Sequence, residues 1–246
     1  MNGRRGASAL GKTANTAGVS IIVCTNRPRF FANMISNYRT QQINSKELII
    51  ILNKDSMNLE RYRKKVRAYR DISIYKVPEK ISLGQCLNCG IAKARYPLIA
   101  KFDDDDYYSP YYLKEQVKEL KRTKSDIIGK HGCLVYLEST RQLIIRSPKE
   151  QRKPVIFIQG GTVLFRRPVA KQVLFSDRSI GEDVDFLQRC KKKGYRAYAT
   201  SVYNYVYMRR KNKGSHTWKV KDSFYLKGSI PVAVTDNYRR IADRKP

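Results

Sequence analysis

The sequence predicts an α/β fold, in which a mostly parallel central sheet has helices on both faces and is followed by a small mixed sheet. Short apolar runs alternate with segments of helical spacing three times in the first hundred residues. The runs are continuous, a pattern typical of strands that are buried on both faces of a parallel sheet. Hydrophobic residues are 41% of the 246, enough to form such a core.

The elements of this sheet follow one another from the first apolar run. The predicted strands are short, largely apolar runs that end in polar loops: Val19–Cys24, Leu48–Leu52, Ile72–Val77 and Pro97–Phe102. The predicted helices between them are Phe31–Arg39, the charged Leu59–Tyr69, and Gly84–Ala94. Because parallel strands bind ligands at their carboxyl ends, Thr25-Asn26, Asn53–Asp55 and Asp103–Asp106 are expected to meet there.

The second half of the chain has shorter elements. We predict a helix over Pro110–Lys124, shorter mixed strands within Ile127–Ile145 and Val155–Phe165, and a Tyr-rich strand region over Tyr195–Tyr207. Glu182–Lys193 is a predicted helix that ends before Gly194, with acids in its first turn and lysines in its last, as the helix dipole favours.

The charge is strongly positive, with 50 Lys and Arg against 21 Asp and Glu, a formal net charge of +29. This predicts an anionic partner, such as nucleotide phosphates, a polyanionic acceptor or an anionic membrane surface. No apolar run approaches the length of about 18 residues that a membrane span needs. The polar, basic start of the chain is unlike a secretory signal, so the expected location is the cytoplasm, with peripheral contact to a membrane left open.

Five cysteines are an odd, scattered set that does not indicate a disulfide framework. Cys86 and Cys89 form a lone CxxC pair, and no second pair completes a four-ligand zinc site. We interpret them as two small residues on one turn of a helix.

Two acidic clusters are the candidate sites. Four consecutive aspartates, Asp103 to Asp106, offer hard oxygen ligands of the kind that Mg²⁺ or Mn²⁺ prefers. Glu182 and Asp183 open a later helix. Carboxylates packed this closely repel one another unless a cation or a proton intervenes.

From the residues alone, two function classes remain open. A two-metal phosphoryl-transfer enzyme such as a nuclease would suit carboxylates in a basic protein. A non-enzymatic nucleic-acid binder could stack bases on some of the 17 tyrosines.

Six motifs in order resemble the inverting, metal-dependent family 2 glycosyltransferases of the GT-A fold. They are Val19–Arg27, Glu47–Asn53, Gly84 with Asn88–Ile91, Phe102–Pro110, Gly160–Thr162 with Phe165–Arg167, and Gly181–Asp183. The resemblance covers about residues 18–218. It implies a GT-A domain with a donor half (about 18–110) and an acceptor half (about 111–218), between a basic tail (1–17) and a C-terminal extension (219–246).

The resemblance also implies an activity and its residues. The enzyme would transfer a sugar from a UDP-, dTDP- or GDP-linked donor to an acceptor hydroxyl, as in the synthesis of cell-surface polysaccharides. Asp183 would be the general base, Asp105 and His216 would bind Mn²⁺ or Mg²⁺, and Asp103 would contact the ribose or diphosphate. The remaining donor-side residues would be Thr25, Asn26, Arg27, Asn53, Gly84, Asn88 and Asp104. Those implied on the acceptor side or in support of the ligands are Asp106, Gly160, Gly161, Glu182, Arg209 and Arg210.

One departure concerns the donor base, because the family usually carries an acid where this chain has Asn53. An amide can still accept a hydrogen bond through its oxygen, so the identity of the donor's nucleobase remains open. Lys130–Pro154 matches no motif, so the acceptor is unassigned. The excess of Lys and Arg favours an anionic acceptor, and no specific nucleic acid is expected.

Overall fold

The structure is a computed structural model that describes residues 18–212 and 220–246. The predicted tail and His216 lie outside these residues. The strands, in chain order, are β1 (Val19–Thr25), β2 (Lys46–Leu52), β3 (Ile72–Lys76), β4 (Leu98–Phe102), β5 (Tyr107–Tyr108), β6 (Ile127–Gly129), β7 (Cys133–Leu137), β8 (Gln142–Arg146), β9 (Lys153–Val155), β10 (Leu164–Arg166), β11 (Ala197–Ala199), β12 (Tyr205–Arg209) and β13 (Ile230–Val234). The helices are α1 (Phe31–Thr40), α2 (Leu59–Val66), α3 (Leu83–Lys93), α4 (Tyr112–Thr123), α5 (Arg167–Gln172), α6 (Glu182–Lys192), α7 (Asp222–Leu226) and α8 (Arg239–Ala242).

The larger sheet has eight strands in the order β3-β2-β1-β4-β10-β6-β11-β9. β1 pairs in parallel with β2 and with β4, and β2 pairs in parallel with β3. β10 runs antiparallel between β4 and β6, and β9 runs antiparallel to β11. The predicted mostly parallel sheet is confirmed.

Alternate residues of β1 belong to two different cores. Ile21 and Val23 pack with Met34 of α1 on one face of the sheet, whereas Ile22 packs with Leu87 of α3 on the other. All five side chains are buried. Successive residues of a strand point to opposite faces, so helices on both faces require the continuous apolar run seen in the sequence. Each such side chain contributes about 1.5–3 kcal/mol by its burial.

The segment Val155–Phe165, predicted to contain shorter mixed strands, has strand only at its two ends. β9 ends at Val155 and β10 begins at Leu164, and a short 3₁₀ turn, Gly160–Thr162, lies between them. The two glycines allow the backbone to pass directly against acidic side chains, which a regular strand would not do. The predicted helix from Pro110 begins at Tyr112.

The smaller sheet has the order β13-β8-β7-β12-β5 and is mixed, as predicted. Its edge strand β13 comes from the segment predicted as a C-terminal extension and pairs antiparallel with β8. Ala242 of α8 is buried against Leu134 and Val206 of this sheet. The extension therefore completes the second sheet.

Among the described residues, no helix combines the length and the apolar character that crossing a bilayer requires. All five cysteines are free thiols, and Cys86 and Cys89 share one turn of α3.

Candidate active site

The four aspartates form the turn that joins β4 to β5. Side chains of helix α1 hold this turn by hydrogen bonds to its backbone carbonyls. The side-chain amide of Asn33 donates to the carbonyls of Asp104 (2.8 Å) and Asp106 (3.0 Å). Asn37, one helical turn later, donates to the same Asp106 carbonyl at 2.9 Å. These hydrogen bonds fix the backbone of the turn without using its carboxylates.

Asp104 joins this turn to the end of β1. Thr25 Oγ1 donates to its carboxylate at 2.5 Å, and the Arg27 guanidinium donates to both of its oxygens. Burial raises the pKa of Asp104 to about 6, although Arg27 acts in the opposite direction. The predicted meeting of two strand ends is therefore observed. Asn26, beside them, is exposed.

Asp105 is reached by two guanidinium groups. Nη1 of Arg27 lies 3.0 Å from its Oδ2, and Nε of Arg210 lies 3.8 Å from the same oxygen. Arg210 also donates to the Asp105 carbonyl at 2.5 Å. Both guanidinium groups stack on the Phe30 ring, at 4.8 and 4.4 Å from its centroid. This places cationic groups suited to phosphate beside the Asp105 carboxylate.

Asp106 is buried and faces the second sheet. The Tyr205 hydroxyl donates to its carboxylate at 2.5 Å, and the Met208 backbone N–H donates at 2.9 Å. Burial raises the pKa of Asp106, and the neighbouring carboxylates of Asp105 and Asp103 raise it further. Asp106 thereby connects the aspartate turn to β12.

Asp103 faces the 3₁₀ turn. Its Oδ1 accepts a hydrogen bond from Nζ of Lys101 at 2.5 Å, and a Cβ added to Gly161 would lie 2.7 Å from its Oδ2. The Tyr108 hydroxyl accepts from the Asp103 backbone N–H (2.7 Å) and donates to the Gly161 carbonyl (2.5 Å). Only a glycine at position 161 permits so close an approach.

Asp183 lies on the other side of the same turn. A Cβ added to Gly160 would lie 2.3 Å from its Oδ2, so the two consecutive glycines separate Asp183 from Asp103. Asp183 is in the first turn of α6, where Gly181 adopts a left-handed φ of 75° just before the helix. Glu182 is buried beside it, and burial raises the pKa of Glu182 to about 7. The structure thus brings the two predicted acidic clusters together.

The other predicted donor-side residues contact the protein itself. The Asn53 side chain donates to the Pro78 carbonyl (2.8 Å), and its backbone N–H donates to the Thr25 carbonyl (2.8 Å). Asn88 donates to the Phe175 carbonyl (2.8 Å) and accepts from the Phe175 N–H (2.9 Å). A Cβ at Gly84 would lie 1.9 Å from the Ser176 carbonyl oxygen. Gly84 and Asn88 hold the segment that leads to α6.

Arg209 was implied on the acceptor side or in support of the ligands, and the structure places it against the C-terminal segment. It ends β12, is fully buried, and donates to Asp222 and to the Val220 carbonyl. These contacts attach the C-terminal segment to the second sheet. Arg210, the next residue, is the one that reaches the aspartate turn.

Sequence reasoning missed four residues around the aspartates: Lys101, Tyr108, Asn33 and Asn37. One signal was present for Lys101, because it is a charged residue inside an otherwise apolar strand that runs into the aspartates. The asparagines four positions apart in α1 gave no comparable signal, since polar residues on a helix are usually exposed.

The chemistry of these residues fits a divalent cation that binds together with a phosphate ligand. In the part of the chain that the structure describes, no group of three or more His, Cys, Asp or Glu is arranged around one point. Mg²⁺ is commonly held by one or two carboxylates plus substrate phosphates. Asp105, with Arg27 and Arg210 beside it, offers that type of set.

The family model for "Glycosyl transferase family 2" matches residues 20–174, more than half of the chain. Poly-beta-1,6-N-acetyl-D-glucosamine synthase of Staphylococcus aureus is 26% identical over 191 residues, covering 72% of this chain. The match covers 46% of that relative, so the chain spans about half the length of the curated relatives it matches.

Two solved structures share the fold. S. aureus TarS in complex with UDP-GlcNAc superposes with a TM-score of 0.64 at 16% identity, over 85% of this chain and 64% of that one. The mannosyltransferase PcManGT from Pyrobaculum calidifontis, in complex with GDP-Man and Mn²⁺, also has a TM-score of 0.64, at 17% identity, over 85% and 62% of the two chains.

Proposed function

This chain belongs to glycosyl transferase family 2, and on that basis we propose that it transfers a sugar from a nucleoside-diphosphate donor to an acceptor hydroxyl, with inversion at the anomeric carbon. The observation that carries the proposal is the position of Asp103 and Asp183 on either side of Gly160-Gly161. One carboxylate belongs to the aspartate turn and the other to the start of α6, so two different elements bring them to the same pair of glycines.

The donor would bind at the aspartate turn. Asp103, exposed over 36% of its side chain, would accept hydrogen bonds from the ribose or the diphosphate. Asp105 would bind Mn²⁺ or Mg²⁺, and Arg27 and Arg210 beside it would donate to the phosphates. A bound divalent cation supplies Lewis-acid neutralisation of the charge that develops on the leaving diphosphate.

Asp183 would act as the general base. Its carboxylate would take the proton of the acceptor hydroxyl while the acceptor oxygen forms a bond to the anomeric carbon and the bond from that carbon to the diphosphate breaks. The nucleoside diphosphate leaves on the opposite side. A single displacement of this kind inverts the configuration.

The substrates are proposed by class. We propose a UDP-, dTDP- or GDP-linked sugar as donor, and the structural relatives, solved with UDP-GlcNAc and with GDP-Man, support the first and the last of these. The curated relatives are named as synthases of a polysaccharide, which supports a growing cell-surface glycan as acceptor. The net charge of +29 favours an anionic acceptor or a peripheral contact with an anionic membrane.

The donor site is tested by thermal unfolding with UDP, dTDP, GDP, ADP and CDP, each with and without Mn²⁺. We expect one nucleotide to raise the midpoint, because a ligand at 100 times its dissociation constant adds about 2.7 kcal/mol of stability. The shift should vanish with EDTA and in Asp105→Ala. Stabilisation by DNA or RNA alone, reversed by salt, would instead favour the nucleic-acid binder.

The base is tested by Asp183→Asn. We expect transfer of sugar from the identified donor to fall by a factor of about 10²–10⁴, since an amide cannot take the proton. The nucleotide-induced shift of the unfolding midpoint should be retained. Asp185→Asn is the matched control, because Asp185 lies in the same helical turn and pairs with Arg189 at 2.7 Å. Equal losses of activity in both variants would refute the assignment.

A further inference from the structure

Lys101 is a charged side chain in the middle of the core sheet. It lies on β4, between β1 and β10, and only 5% of it is exposed. Its neighbours on the strand, Ala100 and Phe102, are buried apolar residues. A lysine is almost never fully buried unless it is paired, so its surroundings should contain compensating anions.

Its ammonium group is hydrogen-bonded to one carboxylate and attracted by two others. Asp103 accepts from Nζ at 2.5 Å, and Glu182 and Asp183 both act on it electrostatically from the start of α6. Burial by itself would lower the pKa of Lys101, but the attraction of Asp103 and then of the two α6 acids outweighs it, so the pKa is raised. The hydrogen bond and these attractions thus favour the charged form of Lys101.

This charge connects the two halves of the proposed site. Asp103 belongs to the aspartate turn after β4, whereas Glu182 and Asp183 belong to α6, about 80 positions later in the chain. Carboxylates from these two segments would repel one another without a nearby cation. Lys101 lies on a strand with partners on both sides, so its backbone is fixed in the sheet.

We propose that Lys101 is a positioning residue for sugar transfer: its buried ammonium holds Asp103 and the Glu182-Asp183 pair together and so sets the Asp183 carboxylate relative to a donor bound at Asp103. The roles of Asp103 and Asp183 in this statement rest on the proposed function. The electrostatic link between Lys101 and the α6 acids does not depend on it.

The link is tested without any substrate by a double-mutant cycle. Lys101→Met is made in the natural chain and in a Glu182→Gln, Asp183→Asn background, and the thermal midpoint of each protein is measured. In the background that lacks the two acids, Lys101→Met should lower the midpoint by about half as much as it does in the natural chain, or less. The reason is that residues in one ion-pair network are energetically coupled. An equal drop in both backgrounds would overturn the link.

The positioning role is tested by kinetics with the donor identified above, using release of nucleoside diphosphate as the readout. In Lys101→Met we expect kcat per folded molecule to fall about 100-fold, the effect of roughly 1 Å of misplacement. The dissociation constant of the nucleoside diphosphate should stay within about threefold of the natural value. This is less than the tenfold change in an equilibrium constant to which one pKa unit corresponds. Lys101→Arg should recover part of kcat because it restores the charge.

Lys118→Met, at an exposed position of α4, is the control for loss of one lysine. If Lys101→Met turns over like the natural chain, the inference is wrong although the proposed function stands. If Lys101→Arg and Lys101→Met are equally slow, the charge is not what matters and the inference is also wrong. If the natural chain releases no nucleoside diphosphate from any donor, the proposed function fails, and the midpoints still decide the electrostatic link.

Discussion

At the scale of single residues, the site is built from carboxyl groups that are buried to different extents and compensated in different ways. Arg27 forms an ion pair with Asp104, and Asp106 accepts hydrogen bonds from Tyr205 and Met208. Glu182 is attracted by Lys101 and repelled by Asp183. A buried acid with incomplete compensation keeps its proton to a higher pH. These groups therefore make stability depend on pH.

Glu182→Gln tests this dependence. Burial raises the pKa of Glu182 from its ordinary value of 4.5 to about 7, with Lys101 opposing the effect. The folded state then holds a proton that the unfolded state has lost between these two values, so stability falls as the pH rises through this window. We expect the natural chain to lose about 1–3 kcal/mol relative to Glu182→Gln between pH 4.5 and 8.

The measurement is denaturant unfolding of both proteins at intervals of about half a pH unit, fine enough to follow one titrating group. Glu60→Gln, on the surface of α2, controls for the loss of one carboxylate. A difference between the natural chain and Glu182→Gln that stays constant with pH, or that grows in favour of the natural chain, would contradict the prediction.

At the scale of elements, the position of α6 depends on the segment before it. Asn88 of α3 makes two hydrogen bonds to the backbone of the buried Phe175, and Gly84 of the same helix lies against the Ser176 carbonyl. Ser82, the N-cap of α3, donates to Asp177 at 2.6 Å. Helix α3 thus anchors the segment that precedes α6, the helix that carries the proposed base Asp183.

Asn88→Ala should destabilise the fold by about 1–3 kcal/mol, because the Phe175 N–H and C=O lose their partners in a partly buried place. Chemical denaturation monitored by circular dichroism measures this change. Asn237→Ala is the control, since Asn237 is exposed. Equal stabilities of the two variants would show that the anchor contributes nothing.

At the scale of the whole molecule, the net charge of +29 acts against the compact state. Like charges on a folded surface repel one another more strongly than in the expanded chain, and salt screens this repulsion. The Debye length falls from about 30 Å at 0.01 M salt to about 8 Å at 0.15 M.

We therefore expect the thermal midpoint near pH 7 to rise when NaCl is increased over this range. The same titration near pH 10 is the control, because the sequence pI is ≈ 10.1 and the net charge there is close to zero. The rise should shrink or disappear at that pH. A midpoint that falls with salt near pH 7 would contradict the prediction.

Much of the first half of the fold follows from the sequence. The strands up to Phe102 were predicted within a few residues, because each is a continuous apolar run with a polar loop after it. The second half was less predictable. Its strands are two to five residues long, and Gly160-Gly161 forms a turn between two of them that approaches side chains from distant elements.

The candidate site was predictable where it follows from topology. Carboxyl ends of adjacent parallel strands must meet, so Thr25 was expected beside the aspartates, and it contacts Asp104 across more than 70 positions of sequence. The roles of Asn88 and Arg209 were not predictable in this way. Asn88 bonds to backbone atoms of Phe175, which carry no sequence signal, and Arg209 bonds to Asp222 and to the Val220 carbonyl in the C-terminal segment.

By itself, then, the sequence determined the order of strands and helices, the two acidic clusters and the membership of a glycosyltransferase family. Only the tertiary structure decided which group compensates each acid: Arg27 for Asp104, Tyr205 for Asp106, and Lys101 for Asp103. The physical reason is that apolar periodicity is a local property of the chain. The compensation of a buried charge depends instead on which distant side chains the finished packing leaves within a few ångströms of it.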